Sequence, residues 1–341
     1  MSRLKSLQYY LLARLALAPV MVWTIVTVVF LLLRATPGDP VDAILGGRAP
    51  EEAKKALREQ MGLTAPLWVQ YINYLGQLIR LDLGTSITSR GLKVGDIIVQ
   101  YFPATVELAT GAMVVAITVG VIIGLVSASK PNTIFDGGGR LFGIITYALP
   151  LFWVGMLMQL IFAVQLRLFP LGARFPIGVT PPSHITGLYL IDSLLTLNLP
   201  QFLTSLHHLT LPCLTLGILL SGIFERLVRV NLRITLQADY VESARARGIP
   251  ETRILLVHAL KNALIPVITV MGLTFASLLG GAVLTEVTFS WPGLGNRLYE
   301  AISQRDYPTV QGIMVFMGIM VVGASVIIDV INAYVDPRIR Y

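Results

Sequence analysis

The sequence has few charged residues for its length. Only 13% of its 341 residues are Asp, Glu, Lys or Arg, whereas soluble domains usually carry about 25%. Apolar residues make up 55% of the chain, and the mean hydropathy is +0.73. This composition leaves a membrane protein or an insoluble chain. The net charge of +7 is compatible with binding to nucleic acid or to an anionic membrane surface, and the high apolar content favours the membrane.

Residues that build disulfides, metal sites and nucleotide sites are also scarce. Cys213 is the only cysteine, so no intramolecular disulfide can form. The four histidines lack the spacing of a metal site. No G-x-x-x-x-G-K-[ST] motif occurs, which excludes ATP binding by a P-loop in this chain. We therefore expect no metal, no nucleotide cofactor and no catalytic residues in this chain.

Six apolar runs are each long enough to cross a membrane. The first, at 15–33, is uncharged over about 19 residues, which suffices for a hydrocarbon core of about 30 Å. It exceeds the apolar region of a signal peptide, which favours a retained anchor. The others lie at 103–127, 141–165, 207–225, 263–287 and 310–334. Pro150 and Pro212 lie in or near these runs, where we expect kinks. The sequence thus predicts an all-α integral membrane protein with six transmembrane helices.

The distribution of Lys and Arg predicts how these spans are oriented. The segment between spans four and five holds seven cations: Arg226, Arg229, Arg233, Arg245, Arg247, Arg253 and Lys261. Both termini are also basic, whereas the loops after spans three and five carry two arginines each. By the positive-inside rule, both termini and this segment face the cytoplasm. Segment 34–102 would lie outside although it is basic, and it exceeds the length of about 60 residues over which the rule applies.

Three acidic residues lie in the predicted spans or at their ends: Glu107, Glu286 and Asp329. An ionisable residue inside a membrane is a candidate for a substrate or ion path. Glu107 and Glu286 are near predicted outer span ends, where headgroups and water are close. Asp329 lies inside the last span, toward its end. Both interpretations, a lumen-facing role and simple solvation at a span end, stay open at this point.

The charged stretch 225–262 has to lie in water and is predicted to be folded. Each charge would cost about 2.5–3.5 kcal/mol at the centre of a membrane helix. Asp239 is a suitable N-cap, and Glu242 stands at the capping-box offset. Gly248 permits a left-handed helix end, and Pro250 suits the first turn of a second helix. We expect two short helices joined by a tight corner beneath the membrane.

Two kinds of partner suit such a corner. A basic patch binds anionic lipid, and a folded, ordered corner also suits a cytoplasmic protein. Acids at 239, 242 and 251 are interleaved with the arginines, which argues against binding to lipid alone. Docking of a cytoplasmic protein is therefore the favoured interpretation.

The sequence of this corner resembles the EAA motif of permease subunits in bacterial ABC importers. Glu242, Ala244 and Gly248 match the pattern E-A-A-x3-G, and Ser243 replaces the middle alanine. The generic continuation, I-x-L-P, matches only at Leu260. The stretches YVESARARG and HALKNALIP instead resemble the dipeptide/oligopeptide/nickel permease branch. So do, in order along the chain, ATPGDP, MGLTAPLWVQY, LDLGTSI, FSWPGLG and RDYPTVQG.

This resemblance implies a fold and a division of the chain. The implied fold is that of a type I ABC importer permease, with an extracytoplasmic segment after helix 1. Residues 1–94 would form the first span and that segment, 95–335 the permease core, and 336–341 a cytoplasmic tail. Segment 231–262 would contain the coupling helix that docks on an ATPase. The residues implied in this coupling are Tyr240, Glu242, Ala244, Arg245, Arg247, Gly248, Ile249 and Pro250.

The resemblance also implies partners and a function. The partners would be a second homologous permease subunit, two ATP-binding subunits, an extracytoplasmic solute-binding protein and membrane lipid, but no nucleic acid. The chain would form half of the path for di- or oligopeptides across the bacterial cytoplasmic membrane, by alternating access powered by ATP on the partner subunits. Nickel or glutathione are alternative substrates. A secondary transporter driven by an ion gradient is the alternative from another class, and it would depend on Glu107, Glu286 or Asp329.

Overall fold

The computed structural model describes residues 3–35, 40–45, 49–60, 62–89 and 91–335. Within these ranges the chain is mostly helical and has no strand; an isolated antiparallel bridge joins Thr85 to Lys93. The all-α prediction is therefore confirmed for the described part of the chain. Most of the ATPGDP stretch and the whole predicted tail at 336–341 lie outside the described residues.

The helices are numbered in chain order. The amino-terminal half contains α1 (Arg3–Ala35), α2 (Pro40–Leu45), α3 (Glu51–Gln60), α4 (Leu67–Ile79), α5 (Val94–Ser129), α6 (Ile134–Ala148) and α7 (Leu151–Met158), which continues as a π-helix over Gln159–Gln165. The carboxyl-terminal half contains α8 (Tyr189–Leu195), α9 (Leu199–Leu236), α10 (Asp239–Ala246), α11 (Glu251–Arg253), a π-helix over Ile254–Ala259, α12 (Leu260–Ala263), α13 (Ile265–Leu279), α14 (Val283–Thr288), α15 (Leu294–Ser303) and α16 (Tyr307–Val335).

Four of the described helices are long and apolar enough to cross a membrane unaided. They are α5, α9, the part of α1 at Ala13–Ala35 and the part of α16 at Tyr307–Val330. Two further helix pairs reach that length only if each bent pair counts as one span. The pair α6–α7 bends by 102°, and the pair formed by Glu251–Ala263 and α13 bends by 51°. The described chain thus has four to six apolar helices of spanning length.

Two predicted spans differ in detail from the structure. The run 141–165 is not one continuous helix, because Leu149 is extended and Pro150 begins a new helix there. The kink expected at this proline is a full bend of 102°. The predicted span 263–287 is too long: it ends with α13, because Gly281 adopts φ +109° and breaks the helix before α14.

Helices α5 and α9 form the centre of the molecule and run parallel to each other. Glycines let them approach closely: a Cβ on Gly120 would lie 2.6 Å from Phe224, and one on Gly124 would lie 2.8 Å from Val228. The Phe224 and Val228 side chains are fully buried in this contact. Since both helices start at the same end, the chain between them has to run back along their length.

The returning segment follows α9 from its end to its beginning. Its contacts with α9, in chain order, are Gly139 with Glu225, Gly155 with Thr215, and Ala173 with His208. These contacts move toward the start of α9 as the chain proceeds. The pair α6–α7 therefore traverses the bundle in spite of its bend.

The remaining long helices place both ends of the described chain at one end of the bundle. Gly272 of α13 contacts Ile328 of α16, and Gly281, just after the end of α13, contacts Met317. Those of α1 with α16 are Ile25 with Gly318 and Arg14 with Asp329. Helix α16 is thus antiparallel to both neighbours. The beginning of α1 and the end of α16 therefore lie toward the end of the bundle where α9 leads into α10, which we call the corner end.

Candidate functional site

Residues 239–253, which we call the corner, form two short helices joined by a sharp turn. Helix α10 ends in a Schellman motif, with Gly248 at φ +73°. The Ile249 N–H donates to the Ala244 carbonyl at 3.2 Å, and the Gly248 N–H donates to the Arg245 carbonyl at 2.9 Å. A Cβ at Gly248 would meet nothing within 4 Å, so the positive φ alone favours glycine there. The predicted left-handed helix end at Gly248 is confirmed.

The predicted capping box at the start of α10 is wrong. The N-cap is Ala238, and no side chain caps the first turn by a hydrogen bond. Asp239 is instead the first helical residue, and Glu242 follows in the same turn. Both carboxylates therefore stabilise the helix start only through the helix dipole. Pro250 is likewise the N-cap of α11 and precedes its first turn.

A small apolar core fills the inside of the corner. Val241 and Ile254 are fully buried, Ala244 is nearly so, and Ile249 packs beside them. The contact of Ile249 with Ala244 is the apolar contact that accompanies a Schellman motif. Burial of a Val or Ile side chain stabilises a fold by about 1.5–3 kcal/mol. Ala244 and Ile249, predicted as coupling residues, thus shape the corner from within.

Two polar contacts tie the corner to the neighbouring helices. Arg245 donates to Glu251 through Nε at 3.0 Å and through Nη2 at 2.6 Å, and its Nη1 donates to the Leu236 carbonyl at 3.3 Å. One side chain thereby joins the end of α9 to the start of α11. Asn262 of α12 donates to the Tyr240 hydroxyl at 2.8 Å. These partly exposed contacts hold the geometry more than they add stability.

The outward surface of the corner carries exposed charges that form no hydrogen bond or ion pair with the described residues. Glu242 and Arg247 are exposed, and neither forms a hydrogen bond or ion pair with a described residue. Pro250 and Ser243 are exposed between and beside them. Within the described fold Glu242 acts electrostatically, on the start of α10 and on the nearby Arg245. All four side chains are accessible at the surface. They are available to a partner molecule.

A charge cluster joins α6 to α9 close to the corner. Asp136 is buried and pairs with Arg233 of α9 at 2.5 Å and with Arg140 at 2.9 Å. Its carboxylate also accepts the Asn132 N–H at 3.2 Å. Sequence reasoning missed this site, because Asp136 lies in the short Gly-rich stretch FDGGGR and no spacing links it to an arginine so far along the chain.

Glu225 adds a second buried carboxylate to the same junction. It is fully buried and pairs with Arg229 at 2.7 Å. A Cβ on Gly139 or Gly143 of α6 would come within 3.1 Å of this carboxylate, so only glycine lets α6 lie against it. We call Asp136, Arg140, Glu225, Arg229 and Arg233 the α6–α9 clamp. It fastens the start of the returning segment to the helix that carries the corner.

Glu107 lies at the opposite end of the bundle and holds the chain before α8. It pairs with Arg174 at 2.7 Å, and the two side chains are 5% and 7% exposed. Its other oxygen accepts the Leu190 N–H at 2.9 Å. Arg174 also donates to the Gly187 carbonyl and lies 3.7 Å from the centre of the Tyr189 ring. Glu107 also borders a cavity of about 450 Å³ between α5, α8 and α9 that is otherwise mostly apolar.

Glu286 secures the FSWPGLG stretch against α5. It is fully buried and accepts the Thr105 hydroxyl at 2.7 Å and the Asn296 N–H at 2.9 Å. Thr105 in turn accepts the Leu294 N–H at 2.9 Å. The buried Trp291 indole donates to a backbone carbonyl of α5 at 2.8 Å. The carboxylate is thus the centre of an internal network.

Asp329 pairs with Arg14, and the distance between the charged atoms is 2.8 Å. Each of the three acids therefore has a partner within the protein. Whether any of them lines a translocation path stays a prediction. The described residues contain no group of three or more His, Cys, Asp or Glu suited to a metal ion.

Comparison with known families identifies the architecture. Residues 120–341 match the family described as "Binding-protein-dependent transport system inner membrane component", and residues 7–109 match its companion, "Binding-prot-dependent transport system membrane comp, N-term". The chain belongs to this family. The permease is accordingly a multi-pass inner-membrane component, with several apolar helices of spanning length.

Curated relatives match the permease over nearly its whole length. It is 40% identical over 316 residues to the di/tripeptide transport system permease protein DppB of Pseudomonas aeruginosa (strain UCBPP-PA14), covering 92% of this chain and 93% of that protein. It is 40% identical over 312 residues to the probable D,D-dipeptide transport system permease protein DdpB of Escherichia coli (strain K12), covering 92% of each. It is 40% identical over 337 residues to the dipeptide transport system permease protein DppB of Alkalihalophilus pseudofirmus, covering 98% and 100%.

Family membership assigns the chemistry to other chains. The permease is a membrane component of an ABC transporter and not itself an enzyme, so ATP hydrolysis takes place on separate subunits. A binding-protein-dependent system also implies a substrate-binding partner and an ATP-binding partner. An ion-gradient-driven secondary transporter belongs to a different class from this family.

Proposed function

We propose that this permease imports di- or oligopeptides across the cytoplasmic membrane as half of a translocation path. The observation that carries the proposal is its similarity, nearly end to end, to three permeases named for dipeptide or di/tripeptide transport. Nickel and glutathione are the alternative substrates within the branch that the sequence resembles. The complete importer would contain a second homologous permease, two ATP-binding subunits and a solute-binding protein.

The proposed topology has six spans with both termini in the cytoplasm. Passage of α6–α7 along the whole of α9 supports counting this bent pair as a span. The ends of the described chain lie toward the corner end, together with the basic corner, which supports a cytoplasmic position for all three. The chain between α1 and α5 would then be extracytoplasmic. The proposed division is 1–94, then a core at 95–335, then a tail at 336–341.

The corner is the proposed docking element for an ATP-binding subunit. Its exposed Glu242, Arg247 and Pro250 would contact that subunit, while Gly248 and Ile249 hold the turn in shape. Tyr240 and Arg245 would keep the turn fixed to α12, α9 and α11. A rigid corner would transmit movement of the ATP-binding subunit to the membrane helices, whereas a solvated loop would deform instead.

The path of motion follows from the contacts around the corner. Helix α9 runs without a break up to Leu236, where the corner is attached through Arg245. The α6–α9 clamp ties α6 to the same helix. Closure of the ATP-binding subunits would therefore tilt α9 and α6 together, as a rigid-body movement that switches access from one side of the membrane to the other.

The docking proposal is tested by reversing two exposed charges of the corner. We expect Glu242→Lys and Arg247→Glu to abolish or strongly reduce uptake, while the amount of permease in the membrane stays normal. Lys55→Glu is the matched control, because Lys55 is exposed on α3, outside the corner. Uptake of labelled dipeptide, membrane abundance and co-purification of the ATP-binding subunit are measured together.

Two outcomes would contradict the proposal in different ways. Normal uptake and normal co-purification in both corner variants would remove the docking assignment. An intact ATP-binding complex that imports nickel or glutathione but none of a panel of di- and oligopeptides would remove the substrate assignment and leave the docking assignment in place.

A further inference from the structure

Helix α4 has one polar side and one apolar side along its whole length. The polar side, which recurs every three to four residues, consists of Gln70, Asn73, Gln77 and the following Arg80. The apolar side is wide and divides into two flanks. The flanks meet different surroundings, and this difference indicates where the helix lies.

The first apolar flank packs on α1. Tyr71 forms a hydrogen bond with the Thr27 hydroxyl at 2.6 Å, and the ring of Phe30 lies 5.2 Å from that of Tyr71 and 5.8 Å from that of Tyr74. Leu75 and Leu78 extend this flank onto a buried cluster formed by α1 and α16. Helix α4 is therefore fastened to the bundle and does not move as a free loop.

The second apolar flank is uncovered. It consists of Trp68, Ile72 and Ile79, which are 67%, 57% and 83% exposed. Separations of four and seven residues place all three on one stripe of the helix. The stripe carries no charge and no polar group apart from the tryptophan N–H. A water-facing helix would not be expected to leave three large apolar side chains in one uncovered line.

The contacts of α4 with α1 indicate how deep α4 lies in the membrane. Thr27 and Phe30 belong to the apolar helix Ala13–Ala35, which is of membrane-spanning length. Arg34 lies one turn further on, with its guanidinium 4.4 Å from the Phe30 ring centre and 3.4 Å from the Gln70 side-chain oxygen. A membrane helix usually reaches water near such an arginine. Helix α4 thus lies beside the last turns of this span, at the level where acyl chains meet headgroups.

Helix α1, on which α4 packs, also exposes apolar side chains. On α1, Trp23, Val28 and Leu31 are about half exposed and belong to the same span. We propose that α4 is an interfacial helix, with Trp68, Ile72 and Ile79 inserted among lipid acyl chains and its polar side in water. Interfacial tryptophan and an uncharged stripe both fit lipid. The proposal depends on membership in a membrane-protein family and not on the substrate or the side of the membrane.

Spin labels test which medium each side of α4 meets. The complete transporter, with Cys213→Ala in this chain, is reconstituted in vesicles of phosphatidylethanolamine and phosphatidylglycerol. Single labels are placed at Ile72→Cys and Ile79→Cys, with Asn73→Cys and Gln77→Cys as matched controls on the polar side. Collision rates with oxygen, which concentrates in lipid, and with a water-soluble nickel chelate are compared. We expect the ratio of oxygen to nickel collisions to be several-fold higher at 72 and 79 than at 73 and 77.

Two results would overturn the proposal. If labels at 72 and 79 collide with neither reagent, a protein partner covers the stripe; if their ratio equals that at 73 and 77, the stripe faces water. A second measurement avoids cysteine substitution: lipids brominated on the acyl chain should quench less of the total tryptophan fluorescence in Trp68→Phe than in the unchanged protein. An equal quenched fraction would contradict insertion of Trp68.

Discussion

The molecule carries its charges in two very different settings. At the end of the bundle opposite the corner, Glu107 and Glu286 are buried and accept hydrogen bonds from other segments of this chain. At the corner, Glu242 and Arg247 are exposed and form no hydrogen bond or ion pair with a described residue. A buried charge that loses its partner is costly to the fold, whereas an exposed charge can change with little effect on stability. Substitutions in the first setting should therefore lower stability, and those in the second should lower transport alone.

The largest expected effect comes from removing the partner of Glu107. Arg174→Gln leaves a buried carboxylate unpaired, which typically costs about 3–5 kcal/mol in the free energy of unfolding. Thermal unfolding of the purified permease should show a large drop in midpoint. Arg167→Gln, at an exposed arginine in the same loop, is the control and should change little. Equal stability of the two variants would show that the Glu107 pair is not structural.

The next effect concerns Asp306, which joins the RDYPTVQG and LDLGTSI stretches. Its carboxylate accepts the hydroxyls of Ser86 at 2.5 Å, Thr88 at 2.9 Å and Thr309 at 2.8 Å. Burial raises the pKa of Asp306, but these bonds together outweigh it and hold the pKa below its ordinary value. The ionised form therefore stabilises this contact at neutral pH, and the contribution is lost as pH falls through the lowered pKa.

Asp306→Asn should accordingly cost about 1–3 kcal/mol, since hydroxyl donors lose a charged acceptor. Hydrogen exchange of residues 82–89 should be faster in the variant at neutral pH. The unchanged protein should lose the same protection only in acid, below about pH 4, the ordinary range of an aspartate. Protection that is unchanged in the variant would mean that Asp306 does not hold this segment.

A smaller effect is expected at Gly248, where only backbone strain opposes a side chain. Gly248→Val should cost about 1–2 kcal/mol locally, because valine resists a left-handed conformation. Gly248→Asn should cost less, because asparagine tolerates that conformation. Uptake should be highest in the unchanged protein, lower in Gly248→Asn and lowest in Gly248→Val, while membrane abundance stays constant. Equal uptake in the two variants would show that the shape of the corner does not limit coupling.

The smallest effect on stability is expected for the partly exposed Arg245–Glu251 pair. Such surface pairs contribute about 0.2–1 kcal/mol, so Arg245→Gln should hardly change the unfolding midpoint. Uptake should nevertheless decrease, because the link from Leu236 to α11 is lost. The double variant that exchanges the two charges, Arg245→Glu with Glu251→Arg, should recover part of the lost uptake. If Arg245→Gln lowered stability as much as Arg174→Gln does, exposed and buried charges would not differ in their effect on stability.

Local features of the corner were predictable, and its surroundings were not. A positive φ at Gly248 depends on a few neighbouring residues, so the Gly-Ile-Pro order indicated it. The predicted cap at Asp239 was wrong because the helix begins one residue earlier than the capping pattern suggests. The clamp between Asp136 and Arg233 escaped prediction, because residues far apart along the chain meet only when helices pack.

Composition and long apolar runs by themselves determined the class of protein, the helical content and the charged corner. These properties follow from transfer free energies and local backbone preferences, which each stretch of chain carries with it. Tertiary structure alone decided that Glu107 and Glu286 are internal anchors, that α6–α7 bends by 102°, and that one flank of α4 is left uncovered. The physical reason is that burial and pairing depend on which side chains, distant along the chain, come into contact on folding. Local sequence patterns do not specify those contacts.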